Sequence, residues 1–200
     1  MGLLDIILGR SKPKQANLDQ LFGFPSAAIT LQAATDFRPT GIGAVAFRQV
    51  EGAAFTSVEQ EIKGLLGGDS DIAVRQANDG FGYTWEVVRS KSRDASSLVT
   101  SLHAVNSALE AQGFGPMLLC STMYLRDSAG QALALVYLYK RGTFYPFAPV
   151  PGSQQRNSAL ELQIRGTIAD DLRIEDDLSK WSPLWGAPGL DEAPAPDEEH

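Results

Sequence analysis

Few of the residues in this chain are of types that do chemistry. Cys120 is the only cysteine, and His103 is the only histidine apart from the terminal His200. A thiol nucleophile needs surroundings that favour the thiolate and a histidine within reach. Cys120 falls inside the apolar run Met117 to Arg126, where the ordinary outcome is a buried structural cysteine. His103 follows Leu102 in a helical pattern and sits about 100 degrees off its apolar stripe, so a solvated or edge-packed ring is expected. One cysteine excludes a disulfide framework and a cysteine zinc site, and two histidines leave little for a histidine metal cluster. Catalytic, cofactor-binding and metal residues are therefore assigned as none. No cofactor is expected, and the cysteine usage suits a reducing cytoplasm.

The remaining chemical signals are equally thin. Gly41-Ile42-Gly43 lacks a third glycine and leads into a strand, and Gly64 to Gly68 ends a helix with no lysine-serine pair after it. Neither has the context of a phosphate-cradling loop. Glu59, Glu61 and Glu86 lack the apolar runs that raise a carboxyl pKa, so they read as solvated. There is no GxSxG elbow and no HExxH. The expectation is a protein that is not an enzyme.

Charge narrows the partners. The chain of 200 residues carries 17 basic and 24 acidic side chains, a net −7, which is the wrong sign for binding nucleic acid by phosphate neutralisation. Apolar residues make up 44% and charged residues 20%, enough to bury a core. The acidity is local. Asp170, Asp171, Glu175, Asp176, Asp177, Asp191, Glu192, Asp197, Glu198 and Glu199 face only Arg173 and Lys180 in the last stretch, whereas the body before it is nearly neutral. No apolar run reaches the roughly 18 residues of a membrane span. The opening MGLLDIILGR holds an acid and no small-residue cleavage site, so neither a span nor a secretory signal is expected.

The elements that must position these residues follow from periodicity. Residues 1–16 form a short amphipathic segment and linker. Leu3, Leu4, Ile7 and Leu8 share one helical face, and Arg10, Lys12 and Lys14 follow. That segment fits an anionic lipid boundary, a groove between a partner's helices, or the chain's own domain. Asn17 is a candidate N-cap for a short helix to Phe22. Ala27–Ala33 and Ile42–Gln49 read as strands and Thr56–Leu66 as a helix. Ile72–Ala77 and Tyr83–Arg89 form a hairpin around Asn78-Asp79-Gly80. A longer helix starts from an Asp94 cap and carries Leu98, Leu102, Val105 and Leu109. Met117–Arg126 and Gln131–Arg141 are apolar on both faces and should be central. Tyr145–Gln155 reads as an irregular loop and Ser158–Leu172 as a closing helix. The fold class is α+β: a single-layer antiparallel sheet of about six strands with helices packed on it. The topology is a recurring strand-strand-helix order after the N-terminal helical segment. A single domain is expected over 17–187, with a disordered acidic tail over 188–200.

A second segment rises above background. Asp170 to Trp185 sets acids around Leu172, Ile174 and Leu178 and ends in Trp181, Leu184 and Trp185, outside any expected helix or strand. Two solvated tryptophan rings would waste large apolar area. The stretch reads as lying across the chain's own sheet or helices, the alternative being an acidic recognition segment for a basic helical partner.

The wording at both ends is familiar. MGLLDIILGRSKPKQANLDQLFGFPSAAITLQAATDFRPTGIGAVAFR and SALELQIRGTIADDLRIEDDLSKWSPLWGAPGL resemble the PspA-associated PspAB family of actinobacteria, over nearly the whole chain to about residue 190. The resemblance implies a place in the phage-shock-type envelope stress response beside PspA, a helical ESCRT-III-like protein that coats stressed membranes. It implies no catalytic residues. The expected function is a non-enzymatic cytoplasmic accessory or adaptor protein. It would act by protein-protein contact with PspA or another phage-shock-module protein, and peripherally at the inner face of the membrane through residues 1–14. The alternative is a chaperone-like domain binding a small molecule or peptide, by fold-level analogy with the YbjN and secretion-chaperone group.

Overall fold

The computed structural model describes residues 17–49 and 53–194; of residues 53–59 it describes the backbone only. The chain starts with a 3₁₀ helix, Leu18–Gly23, capped by Asn17, whose side chain accepts from the Asp19 N–H at 3.2 Å. It then forms α1 (Phe24–Ala34), β1 (Arg38–Arg48), α2 (Ala53–Leu66), β2 (Ile72–Asn78), β3 (Tyr83–Ser90), α3 (Ala95–Ala111), β4 (Leu118–Arg126), β5 (Ala132–Leu138), β6 (Thr143–Phe147) and α4 (Ser158–Thr167). The six strands make one open antiparallel sheet in the order β2-β3-β1-β4-β5-β6.

The connections explain that order. β1 and β2 both pair antiparallel with β3, so they run parallel to each other and need a crossover, which α2 supplies. β3 and β4 flank β1 in the same way, and α3 carries the chain between them. α3 begins where Asp94 accepts from the Ser97 N–H at 2.7 Å, the cap its sequence proposes. From β4 onward tight turns give a meander.

Alternation along the strands sorts side chains to two faces. Val45, Phe47, Val88, Met123, Leu125, Leu133, Leu135, Tyr137 and Phe144 meet the helices, together with Phe24 and Leu31 of α1, Ile62 of α2, Leu98, Leu102, Val105 and Leu109 of α3, and Ile164 of α4. Ile42, Ala44, Ala46, Trp85, Val87, Tyr124, Ala134, Val136, Tyr145 and Phe147 form a second apolar face. Among the described residues no α-helix covers that face. The C-terminal stretch does, burying Trp181, Ala187 and Leu190 against it. The small residues Ala44, Ala46, Ala132 and Ala134 let that backbone lie close to the sheet. Gly189 shows how close: with φ at +95°, a Cβ there would meet Tyr124 Cε2 at 2.8 Å and Ile42 Cγ2 at 2.9 Å.

The α+β class, the antiparallel pairing and the strand count are as the sequence indicates, but four segments differ in place or extent. Ala27–Ala33 is helical, inside α1. Pro25 stands in its first turn, and Phe24, Ala27, Ala28 and Leu31 repeat at helical spacing on its buried side. The first unit is thus helix-strand-helix and the last has three strands before α4, so only β2-β3-α3 keeps the expected strand-strand-helix order and the recurring topology does not hold. The sixth strand is instead β6, in what reads as the irregular loop Tyr145–Gln155. Pro146 is tolerated there because alternate amides face away from β5: Phe144 N–H donates to Arg173 O at 2.8 Å and Ala148 N–H to Glu161 Oε1 at 2.9 Å. Pro146 stands between them, at an outward position that has no ladder bond to lose. The closing helix stops at Thr167, although Ile168 and Leu172 stay buried. Finally, packing runs past residue 187, where the sequence places the start of a disordered tail. Leu190 is 2% exposed, and Glu192 pairs with Arg75 and Arg89. Residues 195–200 lie outside the described residues.

The contact of α3 with β1 gives a test. A Cβ on Gly43 would lie 2.7 Å from Thr122 O, a backbone atom, and 2.9 Å from Leu102 Cδ1 of α3. Gly43→Ala is expected to destabilise the fold by about 1–3 kcal/mol, read as a lowered thermal midpoint. Gly68→Ala, which meets nothing within 4 Å, leaves that midpoint in place.

Candidate functional site

The two residues closest to nucleophile chemistry are kept apart by the sheet. Cys120 of β4 packs with Tyr124, Ala46 and Val136 on the face away from the helices, and burial pushes its thiol up to about 12. His103 lies in the helix layer on α3. Its ring centroid is 5.2 Å from that of Phe22, its Nε2 is 3.8 Å from Asp19 Oδ1, and its Nδ1 is 3.4 Å from Ser107 Oγ. No base reaches Cys120 from there. The carboxylates are also separately occupied. Glu61 accepts from Gln112 Nε2 at 2.7 Å. Glu86 is buried under the helices and accepts from Gln76 Nε2 at 3.2 Å. The expectation of a solvated Glu86 is thus corrected: β3 lies between β1 and β2, and its alternate residues point into the core. The side chain of Glu59 lies outside the described residues. Among the described residues no group of three His, Cys, Asp or Glu gathers as a metal site.

The strongest polar constellations hold the C-terminal strap, residues 174–192, across the second sheet face. Ile174 forms a parallel bridge with Phe144 on the outer edge of β6, and Glu175 N–H donates to Phe144 O at 2.7 Å. The buried Glu175 carboxylate then accepts from the Arg141 guanidinium, from Thr143 Oγ1 at 2.7 Å and from the Asp177 N–H at 3.1 Å. The Arg141 hydrogen bonds, with help from Thr143 and Asp177, hold its pKa down at about 2 against the opposing effect of burial. Backbone and ring follow from that anchor. Trp181 Nε1–H donates to Glu175 O at 2.9 Å, and its ring stacks on Tyr145 with centroids 6.0 Å apart. Trp185 meets Phe147 edge-on at 5.0 Å, and Leu184 is half-buried in the same cluster.

A second clamp joins the strap to α4. Arg156 donates to both oxygens of the buried Glu161 at 3.0 Å and to the carbonyl of Trp181, and its guanidinium carbon stands 5.4 Å from the Phe147 ring centroid. Further along, Tyr124 Oη–H donates to Pro188 O at 3.0 Å and Arg126 to Leu190 O at 3.0 Å. Between the strap and the loop after β6 lies a cleft of about 250 Å³, lined by Arg126, Pro149, Val150, Trp185 and Leu190 among others.

Trp181, Leu184 and Trp185 are therefore seated on the chain's own sheet. Leu3, Leu4, Ile7, Leu8, Arg10, Lys12 and Lys14 lie outside the described residues. Nothing in the spacing singles out Glu175 from Asp176 and Asp177, or Arg156 from other arginines; their roles come from burial. The fold leaves apolar surface outward at Phe81 of the β2–β3 turn and, on the helix layer, at Phe22 and Ile29 together with Leu65 and Leu162. Among the described residues no helix is long and apolar enough to cross a membrane.

Comparison with known proteins adds one finding. The family model PspAB, described as PspA associated protein B, matches residues 1–189. No curated protein and no solved structure matches the chain.

Two outcomes are expected from this geometry. In the folded protein Cys120 should react with a small maleimide about a thousandfold more slowly than a free thiol; native labelling at the free-thiol rate would contradict its placement. The second concerns acid. Because the folded pKa of Glu175 is depressed, its contribution is complete above the ordinary carboxyl value of 4.5 and is lost as pH falls towards 2. Urea titrations at pH 7 and pH 3 should show that Glu175→Gln costs about 1–2 kcal/mol at the higher pH, allowing for the half-exposed Arg141, and clearly less at the lower.

Proposed function

The chain belongs to the PspA associated protein B family, and from that premise we propose that it is a non-enzymatic accessory or adaptor protein of the PspA envelope stress response, working through protein-protein contact. The observation that carries this reading is the extent of the family match, which takes in the basic amphipathic opening together with the whole α+β domain. The polar groups with unusual settings support it. Glu175, Arg141, Glu161 and Arg156 are spent on holding the strap, and Cys120 has no base beside it. Arg141 and Glu175 line a surface cleft of about 420 Å³ with Lys140, Thr143 and Arg173, but their side chains there are paired with each other.

The contact element in this reading is residues 1–14, with Leu3, Leu4, Ile7 and Leu8 as the apolar side and Arg10, Lys12 and Lys14 as the charged side. It would meet PspA or another component of that stress module in the cytoplasm, at the inner face of the membrane, where basic side chains are attracted to anionic headgroups. The two tryptophans of the acidic strap are used internally, which supports the self-docking reading of that segment over a recognition role. A chaperone-like domain would instead need an open apolar sheet face, and the strap fills that face.

Reconstitution tests the proposal. Purified full chain is mixed with purified PspA, with and without vesicles containing anionic lipid, and retention is measured. Co-retention is expected, weakened about tenfold by Leu4→Ser with Leu8→Ser. No association in either arm would overturn it.

A further inference from the structure

The exposed apolar residues of the N-terminal helical run share a side. Phe22, Ile29 and Ala33, with the half-buried Pro25 between the first two, are spaced by three or four residues along the continuous path from the 3₁₀ helix into α1, opposite the buried Phe24, Ala27, Ala28 and Leu31. Phe22 and Ile29 leave about half and two thirds of their surface in water, a stripe about 10 Å long at 1.5 Å per residue. It is flanked by acids. The Asp19 side chain is 88% exposed beside His103, and Asp171 accepts from Ser26 Oγ at 2.6 Å, with the exposed Asp170 next to it.

We propose that this stripe is the docking surface for residues 2–9 of the same chain. Three features select that occupant. First, attachment: the described chain starts at Asn17, whose carbonyl accepts from Tyr137 Oη–H at 2.7 Å, so the opening leaves the domain from a fixed point one 3₁₀ helix before the stripe. Second, reach: residues 10–16 span up to about 23 Å when extended, more than twice the stripe. They contain Pro13, which suits a reversal of direction. Third, charge: Arg10, Lys12 and Lys14 sit in that connector and oppose Asp19, Asp170 and Asp171.

Energetics favour the tethered segment over a second copy. An amphipathic helix of eight residues does not hold itself together in water and gains order only on a surface. A short flexible tether supplies that surface at an effective concentration in the millimolar range, far above a micromolar second chain. The apolar side that would meet PspA or lipid is then covered until a better surface competes for it. The inference deepens the contact role assigned to residues 1–14 and rests on it.

The test uses the full chain carrying Leu4→Cys and Ile29→Cys, with neither PspA nor vesicles present, so that its failure is distinct from failure of the association reading. Cys120 is buried and stays in place. A short bismaleimide at micromolar protein should link positions 4 and 29 within one chain, and adding Ile7→Ser with Leu8→Ser should cut the yield about tenfold. Thermal melts of each variant check that the domain remains folded. Linkage only between chains would overturn the proposal in favour of a second copy. Equal or greater linkage of position 4 to Leu65→Cys on α2 or to Leu162→Cys on α4, both exposed leucines, would overturn it in favour of unspecific contact or another groove.

Discussion

A six-stranded sheet whose described α-helices all lie on one side leaves a second apolar face that water must not reach, and the rest of this structure depends on how that face is closed. Trp85, Val87, Tyr124, Val136, Tyr145 and Phe147 point away from the helices. Each large side chain left exposed there would forfeit about 1.5–3 kcal/mol of burial, and the sheet would present the kind of surface that aggregates. The chain closes the face with its own strap, an irregular segment rather than a second layer of helices. Irregular backbone cannot satisfy itself, so its carbonyls are met one at a time by side chains from the sheet and the loops: Tyr145 to Ser182 O, Tyr124 to Pro188 O, and Arg126 to Leu190 O. The first tie, Glu175 on Arg141 and Thr143, fixes where the strap leaves the edge of β6, and every later contact inherits its register.

That arrangement changes the meaning of the acidic end. Counted along the sequence, the last 31 residues hold ten acids against two basic side chains. In the fold, Glu175 is buried on Arg141, and Glu192 reaches Arg75 and Arg89 on the far strands. Part of the charge asymmetry is thus an intramolecular complement, basic sheet rim against acidic strap, and only part of it faces outward. Asp170, Asp176 and Asp177 remain exposed, so the surface near the start of the strap is still negative.

Helical repeats and the hairpin were legible because each is set by local chemistry: an Asp94 cap, a four-residue apolar stripe through Leu98 to Leu109, and turn residues at Asn78 to Gly80. The misplaced elements are those where tertiary surroundings decide. Ala27–Ala33 alternates loosely enough to pass for a strand, and only the packing of Phe24 and Leu31 under α3 and α4 settles it as helix. β6 was hidden by Pro146, whose cost vanishes at an outward-facing position of the strand. Glu175 and Glu161 could not be told from neighbouring acids, because a buried carboxylate is defined by an arginine distant in sequence or by an amide contributed by another element. The tryptophans were different: the wasted area of two exposed rings already argued that they lie on the chain's own sheet.

The same physics bears on function through what is left over. The buried carboxylates Glu175 and Glu161 are committed to internal clamps, and what the domain presents outward is surface. The helix layer keeps an apolar stripe through Phe22 and Ile29 that contributes nothing to its own core, since the residues facing inward from α1 are already Phe24, Ala27, Ala28 and Leu31. An exposed stripe of this kind raises the cost of keeping the protein soluble, which makes it intelligible as half of an interface. The basic amphipathic opening precedes it in the sequence, and an isolated helix of so few residues is unstable in water. Each has the apolar area the other lacks, and either alone suits a third partner. Under the proposed docking such a pair would exchange an internal contact for an external one with little net change in buried area, and association would then respond to the presence of PspA or an anionic membrane surface.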